Sequence, residues 1–235
     1  MAVGRSGEST GSIREGRSVR LPSIQCLTTD GLARSHAEQA RALCEAGAKM
    51  IQLRMKQAHN PEIVNVVRDC LPVCREADCL LIVNDDIEAA LEAGADGVHL
   101  GKKDLPWVSA RKLAGSGFLI GGTVNCLEDA KLAVSCGVLD YVGVGPYRFT
   151  RTKECLADLL RVEDWQAILL ELGDLPSYAI GGIGLEDLAS VSALRPNGVA
   201  VCSSVVCDEP NKIIENYQSL AIAWEQTKGM NLCEI

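Results

Sequence analysis

From Leu21 onward the chain repeats one pattern. A short apolar, β-rich run is followed by a turn or charged cluster, then by a stretch with helical amphipathic spacing. The predicted strands are residues 23–27 (SIQCL), 49–55 (KMIQLRM), 79–84 (CLLIVN), 97–100 (GVHL), 118–123 (FLIGGT), 141–145 (YVGVG), 177–182 (SYAIGG) and 198–203 (GVAVCS). The predicted helices span 36–46, 61–75, 87–93, 107–113, 127–136, 162–172, 185–194 and 211–227. Three recurring tripeptides, Ala46-Gly47-Ala48, Ala93-Gly94-Ala95 and Cys136-Gly137-Val138, have the form of a helix-ending glycine leading into the next strand. Strands alternating with helices predict a parallel sheet covered by helices. Several strands are too uniformly apolar to leave one face in water, as buried parallel strands require. Eight such units favour closure into a single-domain α/β (β/α)8 TIM barrel over residues 21–235; an open, doubly wound sheet is the rival.

Composition narrows the function classes. Hydrophobic residues make up 47% and charged residues 23%, as in a packed soluble domain. A net charge of −8 gives no global basic field for nucleic acid or an anionic membrane, and 4% aromatics is sparse for base-stacking platforms. An anionic ligand must therefore be captured by a local site. The 11 cysteines include no CxxC pair, and the tightest group, Cys70, Cys74 and Cys79, matches no standard zinc spacing. The expectation is reduced, buried thiols in a cytoplasmic protein. Residues 1–20 lack the apolar core of a signal peptide and read as a disordered tail. No run approaches a membrane span.

In a barrel of this kind, chemistry sits at the C-terminal ends of the strands. Polar residues collect there. In the second strand Gln52, Arg54 and Lys56 share one face, predicted to be the barrel mouth, while Ile51, Leu53 and Met55 face the helices. Two cations and an amide aimed at a cavity require an anionic or richly polar ligand. The third strand runs into Asn84, Asp85 and Asp86, and the fourth into Gly101, Lys102, Lys103 and Asp104. Neighbouring strands would bring Asp85 and Asp104 together, where a divalent cation relieves their repulsion. Hard oxygens in an incomplete cage suit Mg2+. Asp86, just before IEAAL, suits a helix cap.

Thr123, near the end of the fifth strand, is able to offer a hydroxyl to a polar ligand. The segment after the sixth, Tyr147 to Lys153, carries Thr150, Thr152 and Lys153 and reads either as an anion-binding loop or as a solvated basic loop. Gly181-Gly182 after the seventh strand and Cys202-Ser203-Ser204 after the eighth occupy the places where barrels hold phosphate with main-chain amides. His99 reads as a hydrogen-bonded core residue, and Trp107, Trp165 and Trp224 as packing. No Ser-His-Asp order or nucleophile elbow is present.

The segments IQLRMKQ, LIVNDD, ADGVHLGKKDLP, DYVGVGPYRFTRTK, AIGGI and GVAVCSSVV, spread over residues 21–206, together resemble the thiamine-phosphate synthase family. The resemblance implies a (β/α)8 transferase of thiamine biosynthesis. It would condense hydroxymethylpyrimidine diphosphate with hydroxyethylthiazole phosphate, giving thiamine phosphate and pyrophosphate with Mg2+ as cofactor. By the same resemblance Gln52, Arg54, Lys56 and Asn84 match pyrimidine-diphosphate contacts, and Asp85 and Asp104 match Mg2+ ligands. Thr123 stands where the family has a serine touching the pyrimidine; Thr150 and Thr152 match the thiazole-phosphate loop, and Lys153 a lysine at the diphosphate. Gly182, Cys202 and Ser203 match the phosphate end of the thiazole site. Arg54, Lys56, Thr123 and Lys153 would thus carry catalysis.

Three positions depart from the family pattern. Asn125 replaces a frequent histidine, Lys102 and Lys103 add charge beside the acids, and ECLADLLRVED after Lys153 lacks the usual glycine. The partners expected are small molecules, without nucleic acid or membrane, and a homo-oligomer is left open. Two rivals on the same barrel are a thiazole tautomerase-like isomerase and a non-catalytic phosphate-ligand binder. The retained Arg54, Lys56, Asp85, Asp104 and Lys153 weigh against the isomerase, which needs no diphosphate clamp.

Overall fold

The computed structural model describes residues 21–148 and 160–231. The predicted tail and the site residues Thr150, Thr152 and Lys153 lie outside them. The strands β1 (Ile24–Leu27), β2 (Met50–Leu53), β3 (Leu80–Asn84), β4 (Gly97–Leu100), β5 (Leu119–Val124), β6 (Tyr141–Val144), β7 (Ser177–Ile180) and β8 (Gly198–Val201) close into one barrel in sequence order. Every neighbouring pair is parallel, and β1 closes against β8 with Gln25 opposite Ala200. Around it lie α1 (His36–Glu45), α2 (Asn60–Glu76), α3 (Ile87–Ala93), α4 (Trp107–Ala114), α5 (Leu127–Cys136), α6 (Val162–Leu172), α7 (Leu188–Ala193) and α8 (Pro210–Asn231). The barrel is the expected one, and the open sheet is excluded.

The alternation of side chains divides the apolar residues into two shells. Leu27, Met50, Ile82, Leu119, Tyr141, Tyr178 and Ala200 pack together inside the barrel. Ile51, Leu53, Leu81, Val83, Val98 and Val142 belong to the larger cluster beneath the helices, with Trp107, Trp165 and Trp224. Gly94 and Gly137 end α3 and α5 in left-handed geometry, as their tripeptides imply. Asp86 caps α3, its carboxylate accepting from the Ala89 amide at 2.8 Å.

Several strands end earlier than the apolar runs suggest. β2 stops at Leu53, because the Thr28 hydroxyl takes the Arg54 amide at 3.1 Å in place of a ladder carbonyl. Lys56 is therefore placed by a loop, its amide donating to Asp30 Oδ2 at 2.9 Å, and strand alternation does not reach it. Gly181 and Gly182 leave β7 with φ of 110° and 65°, conformations that release the chain from the sheet. The predicted helix over 185–194 is a single 3-10 turn, Leu185–Asp187, followed by short α7. Asp187 causes the break: its buried carboxylate turns back to accept the Gly184 amide at 2.9 Å and to pair with Arg148.

Candidate active site

The inward parity that places Met50 in the core also places Gln52 there, one step nearer the C-terminal end of β2. Gln52 is not open at the rim. It is 2% exposed, and its Nε2 donates to Gln25 Oε1 at 3.3 Å. Gln25 Nε2 in turn donates to the Tyr141 hydroxyl at 3.1 Å, so a buried polar chain crosses the barrel under the mouth. Gly121 makes the crossing possible, because a Cβ at that position would run into the Tyr141 ring. Gln25 and Tyr141 are not among the residues that strand-end polarity singles out. Their shared inward parity with Gln52 was the available signal.

Above this floor the predicted acids meet. Asp85 follows β3 and Asp104 closes the turn after β4, its Oδ2 accepting the Gly101 amide at 2.7 Å. Burial and contact with the Asp85 carboxylate push the Asp104 carboxyl up to about 6, against the pull of the Gly101 amide and the Lys56 ammonium. Two carboxyl groups sharing one place is the arrangement that raises one of them. Lys56 Nζ reaches Asp85 Oδ2 at 2.5 Å, so the loop after β2 supplies the positive charge. Asp85 holds φ at 70°, a left-handed conformation costing a side-chain-bearing residue about 1–2 kcal/mol, less for aspartate. Its amide is held by the His99 carbonyl at 2.8 Å, which fixes the turn that presents the carboxylate. Asn84, half-buried, lies beside them in register with His99.

The next sector of the rim is Thr123 at the end of β5, its hydroxyl 3.0 Å from His99 Nε2. His99 also leans on the Tyr141 ring at 5.6 Å between centroids, so it belongs to the barrel core as expected. Asn125 donates from Nδ2 to the Gly145 carbonyl at 2.5 Å and from its amide to Asp129 at 2.8 Å. It therefore ties the exit of β5 to the exit of β6. Lys102 is turned to Asp129, 2.6 Å away, and so does not add its charge to the acid pair.

Across the mouth a cavity of about 90 Å³ is lined by Arg54, Gly181, Gly182, Cys202 and Ser203 over an apolar floor that includes Leu27 and Ala200. These are the predicted β7–β8 phosphate residues, and Arg54 comes with them. Its guanidinium charge is felt by the Cys202 thiol, which burial otherwise raises. Arg54, one residue past β2, thus belongs to the lining of this cavity. The start of the loop after β6 is fastened alongside: Tyr147 and Arg148 donate amides to the Ile180 and Gly181 carbonyls at 2.9 and 2.8 Å, and Arg148 pairs with Asp187.

A sequence model described as thiamine monophosphate synthase matches residues 24–205. The chain belongs to that family. The thiamine monophosphate synthase match spans all eight strands and every described residue of the rim. Among curated relatives, a thiamine-phosphate synthase of Bacteroides fragilis is 40% identical over 204 residues, covering 85% of this chain and 99% of the relative. Another, from Bacteroides thetaiotaomicron, is 40% identical over 190 residues, covering 79% and 90%. Among solved structures, a thiamine phosphate pyrophosphorylase from Pyrococcus furiosus superposes with TM-score 0.77 at 29% identity, covering 87% of this chain and 96% of that one. As a thiamine monophosphate synthase family member, the chain is an enzyme of the transferase class in thiamine biosynthesis. Among the described residues no helix is long and apolar enough to cross a membrane.

Proposed function

We propose that the mouth of this barrel joins hydroxymethylpyrimidine diphosphate to hydroxyethylthiazole phosphate, releasing pyrophosphate. The meeting of Lys56, Asp85 and Asp104 at one rim carries the reading. A lysine and two acids in contact form a half-built site, in which the acids suit a hard divalent cation and the lysine suits the diphosphate that such a cation would bring.

The donor set fits Mg2+: Asp85 and Asp104 would hold it. When bound, Mg2+ would neutralise diphosphate oxygens and help the leaving group carry its charge. Lys56 and Arg54 stabilise the same charge from the protein side, and Lys153 is assigned there too. Asn84 would orient the pyrimidine end, Gln52 would support it from the buried floor beneath, and the Thr123 hydroxyl offers a hydrogen bond to the ring. The C–O bond to the diphosphate breaks with its electron pair on oxygen, leaving a cation that the electron-rich aminopyrimidine supports. The thiazole nitrogen then supplies the pair for the new C–N bond. No protein nucleophile is needed, in keeping with the absent triad. Gly182, Cys202 and Ser203 would hold the thiazole phosphate by main-chain amides, with Thr150 and Thr152 assigned to the same phosphate by the family resemblance, so that the two heterocycles face each other across Arg54. A cytoplasmic setting suits the pathway and the free thiols.

Purified protein given both substrates and Mg2+ is expected to produce thiamine phosphate by HPLC, with pyrophosphate appearing only when both are present. Pyrophosphate release without the thiazole, or no thiamine phosphate at all, would overturn the proposal.

A further inference from the structure

Cys44, Cys74 and Cys79 form a cluster the reaction does not use. Their sulfur atoms all lie within 4.8 Å of one another, and each of the three residues is buried. Among the described residues this is the one such group of potential metal ligands. Three separate pieces of chain build it. Cys44 lies in the last turn of α1, Cys74 in the last turn of α2, and Cys79 one residue before β3. Asp78, with φ of 50°, reverses the chain, and the Cys79 amide donates to the Cys74 carbonyl at 2.8 Å, folding Cys79 back over the helix end. Helix packing then brings Cys44 Sγ to 3.9 Å from Cys74 Sγ. The spacing Cys70-Cys74-Cys79 matched no zinc motif because the third member comes from α1.

The dimensions suit a metal. A cation with metal–sulfur bonds of about 2.3 Å holds three sulfurs about 4.0 Å apart in a trigonal plane. The observed spacing needs less than about 1 Å of side-chain movement to reach that arrangement. Lys49, donating from its ammonium to the Ala77 carbonyl at 2.6 Å, places positive charge over the same turn.

We propose that Cys44, Cys74 and Cys79 are a three-thiolate site for a soft d10 cation, Zn2+ or Cu+, that staples α1 and α2 to the base of β3. Binding replaces three S–H protons by three metal–sulfur bonds; the protons leave to solvent and no electron moves. The site sits at the N-terminal end of β3, whereas Asp85 follows its C-terminal end, so its role is stability and not turnover.

The test titrates reduced, metal-stripped full-length protein with Cd2+ in excess Mg2+. An ultraviolet thiolate-to-metal charge-transfer band is expected, saturating at one equivalent, with a rise in melting temperature and unchanged turnover. X-ray absorption of the one-to-one wild-type complex is expected to count three sulfur neighbours, a readout that needs no variant to fold. Cys74→Ser and Cys79→Ser are each expected to weaken Cd2+ binding at least a hundredfold, while Cys70→Ser, one turn earlier in α2, leaves it within threefold. Displacement of Cd2+ by Zn2+ assigns zinc as the occupant; displacement by Cu+ alone assigns copper. No band at one equivalent, a shell of fewer than three sulfurs, or equal bands in wild type and Cys79→Ser would overturn the proposal.

Discussion

Lys56 Nζ donates to Asp85 Oδ2 across 2.5 Å, linking the loop after β2 to the exit of β3. Both side chains are partly open, 47% and 32% exposed, so the pair contributes at most about 1 kcal/mol to folding. Its value is chemical: each partner keeps the other at the rim. Lys56→Ala is expected to leave the melting temperature nearly unchanged while kcat/KM falls about 100- to 1,000-fold, the cost typical of losing one donor to developing charge. Steady-state kinetics beside a thermal melt checks this.

Asp85→Ala separates the two halves of the mouth. Turnover and Mg2+ binding are expected to collapse, while thiazole-phosphate affinity, measured by calorimetry, stays within about threefold because the β7–β8 cavity is untouched. Equal loss of both would contradict the division of the pocket.

Asp104 gives the pH dependence a sign. With its folded carboxyl raised to about 6 by burial and by Asp85, a proton competes with the cation below that pH. Mg2+ affinity is expected to be full above neutrality and to fall as pH drops through 6. For the metal-free protein, the folded state binds this proton more tightly than the unfolded chain, so the group's effect on stability improves as pH falls from about 6 towards the ordinary carboxylate value. Asp104→Asn is expected to remove that trend and to stabilise the metal-free protein at pH 8. Melts with and without Mg2+ across pH 5 to 8 test both statements.

The fold was legible because the parallel strands are continuously apolar and the helix-ending glycines recur at the right places. Gln52, Asp85 and Asp104 were legible as strand-end polarity. Other parts of the site depend on tertiary geometry that spacing does not carry. Gln52 lies in a buried chain with Gln25 and Tyr141, visible only once the inner faces of three strands are known. Lys102 reads in sequence as extra charge on the acids, yet Asp129, in α5 beyond the following strand, takes it up. Arg54 shares a face with Gln52 in sequence but also joins the far cavity, because the closed barrel brings β2 and β8 within reach of one side chain across β1.

Asn125 illustrates a substitution with a geometric role. Its Nδ2 holds the Gly145 carbonyl at 2.5 Å, fixing the start of the loop after β6. Asn125→Ala is expected to lower kcat/KM about tenfold, the value of one hydrogen bond of roughly 1.4 kcal/mol, with Mg2+ affinity unchanged. Full activity in Asn125→Ala would show that this anchor does not position the loop.

The barrel floor is tested by Gly121→Ala. A methyl there meets the Tyr141 ring inside a packed interior, so a loss of about 1–3 kcal/mol is expected in denaturant unfolding. Gly121→Ala combined with Tyr141→Phe is not expected to recover it, because the ring itself occupies the space.

The central claim is that acids and a lysine from separate loops meet to receive one diphosphate. A crystal structure with pyrophosphate and Mg2+ tests it directly. The expected result is an ion touching carboxylate oxygens of both Asp85 and Asp104, with Lys56 swung from Asp85 onto the diphosphate. An ion held elsewhere, or a diphosphate seated away from Lys56 with the two aspartates turned from it, would contradict the account.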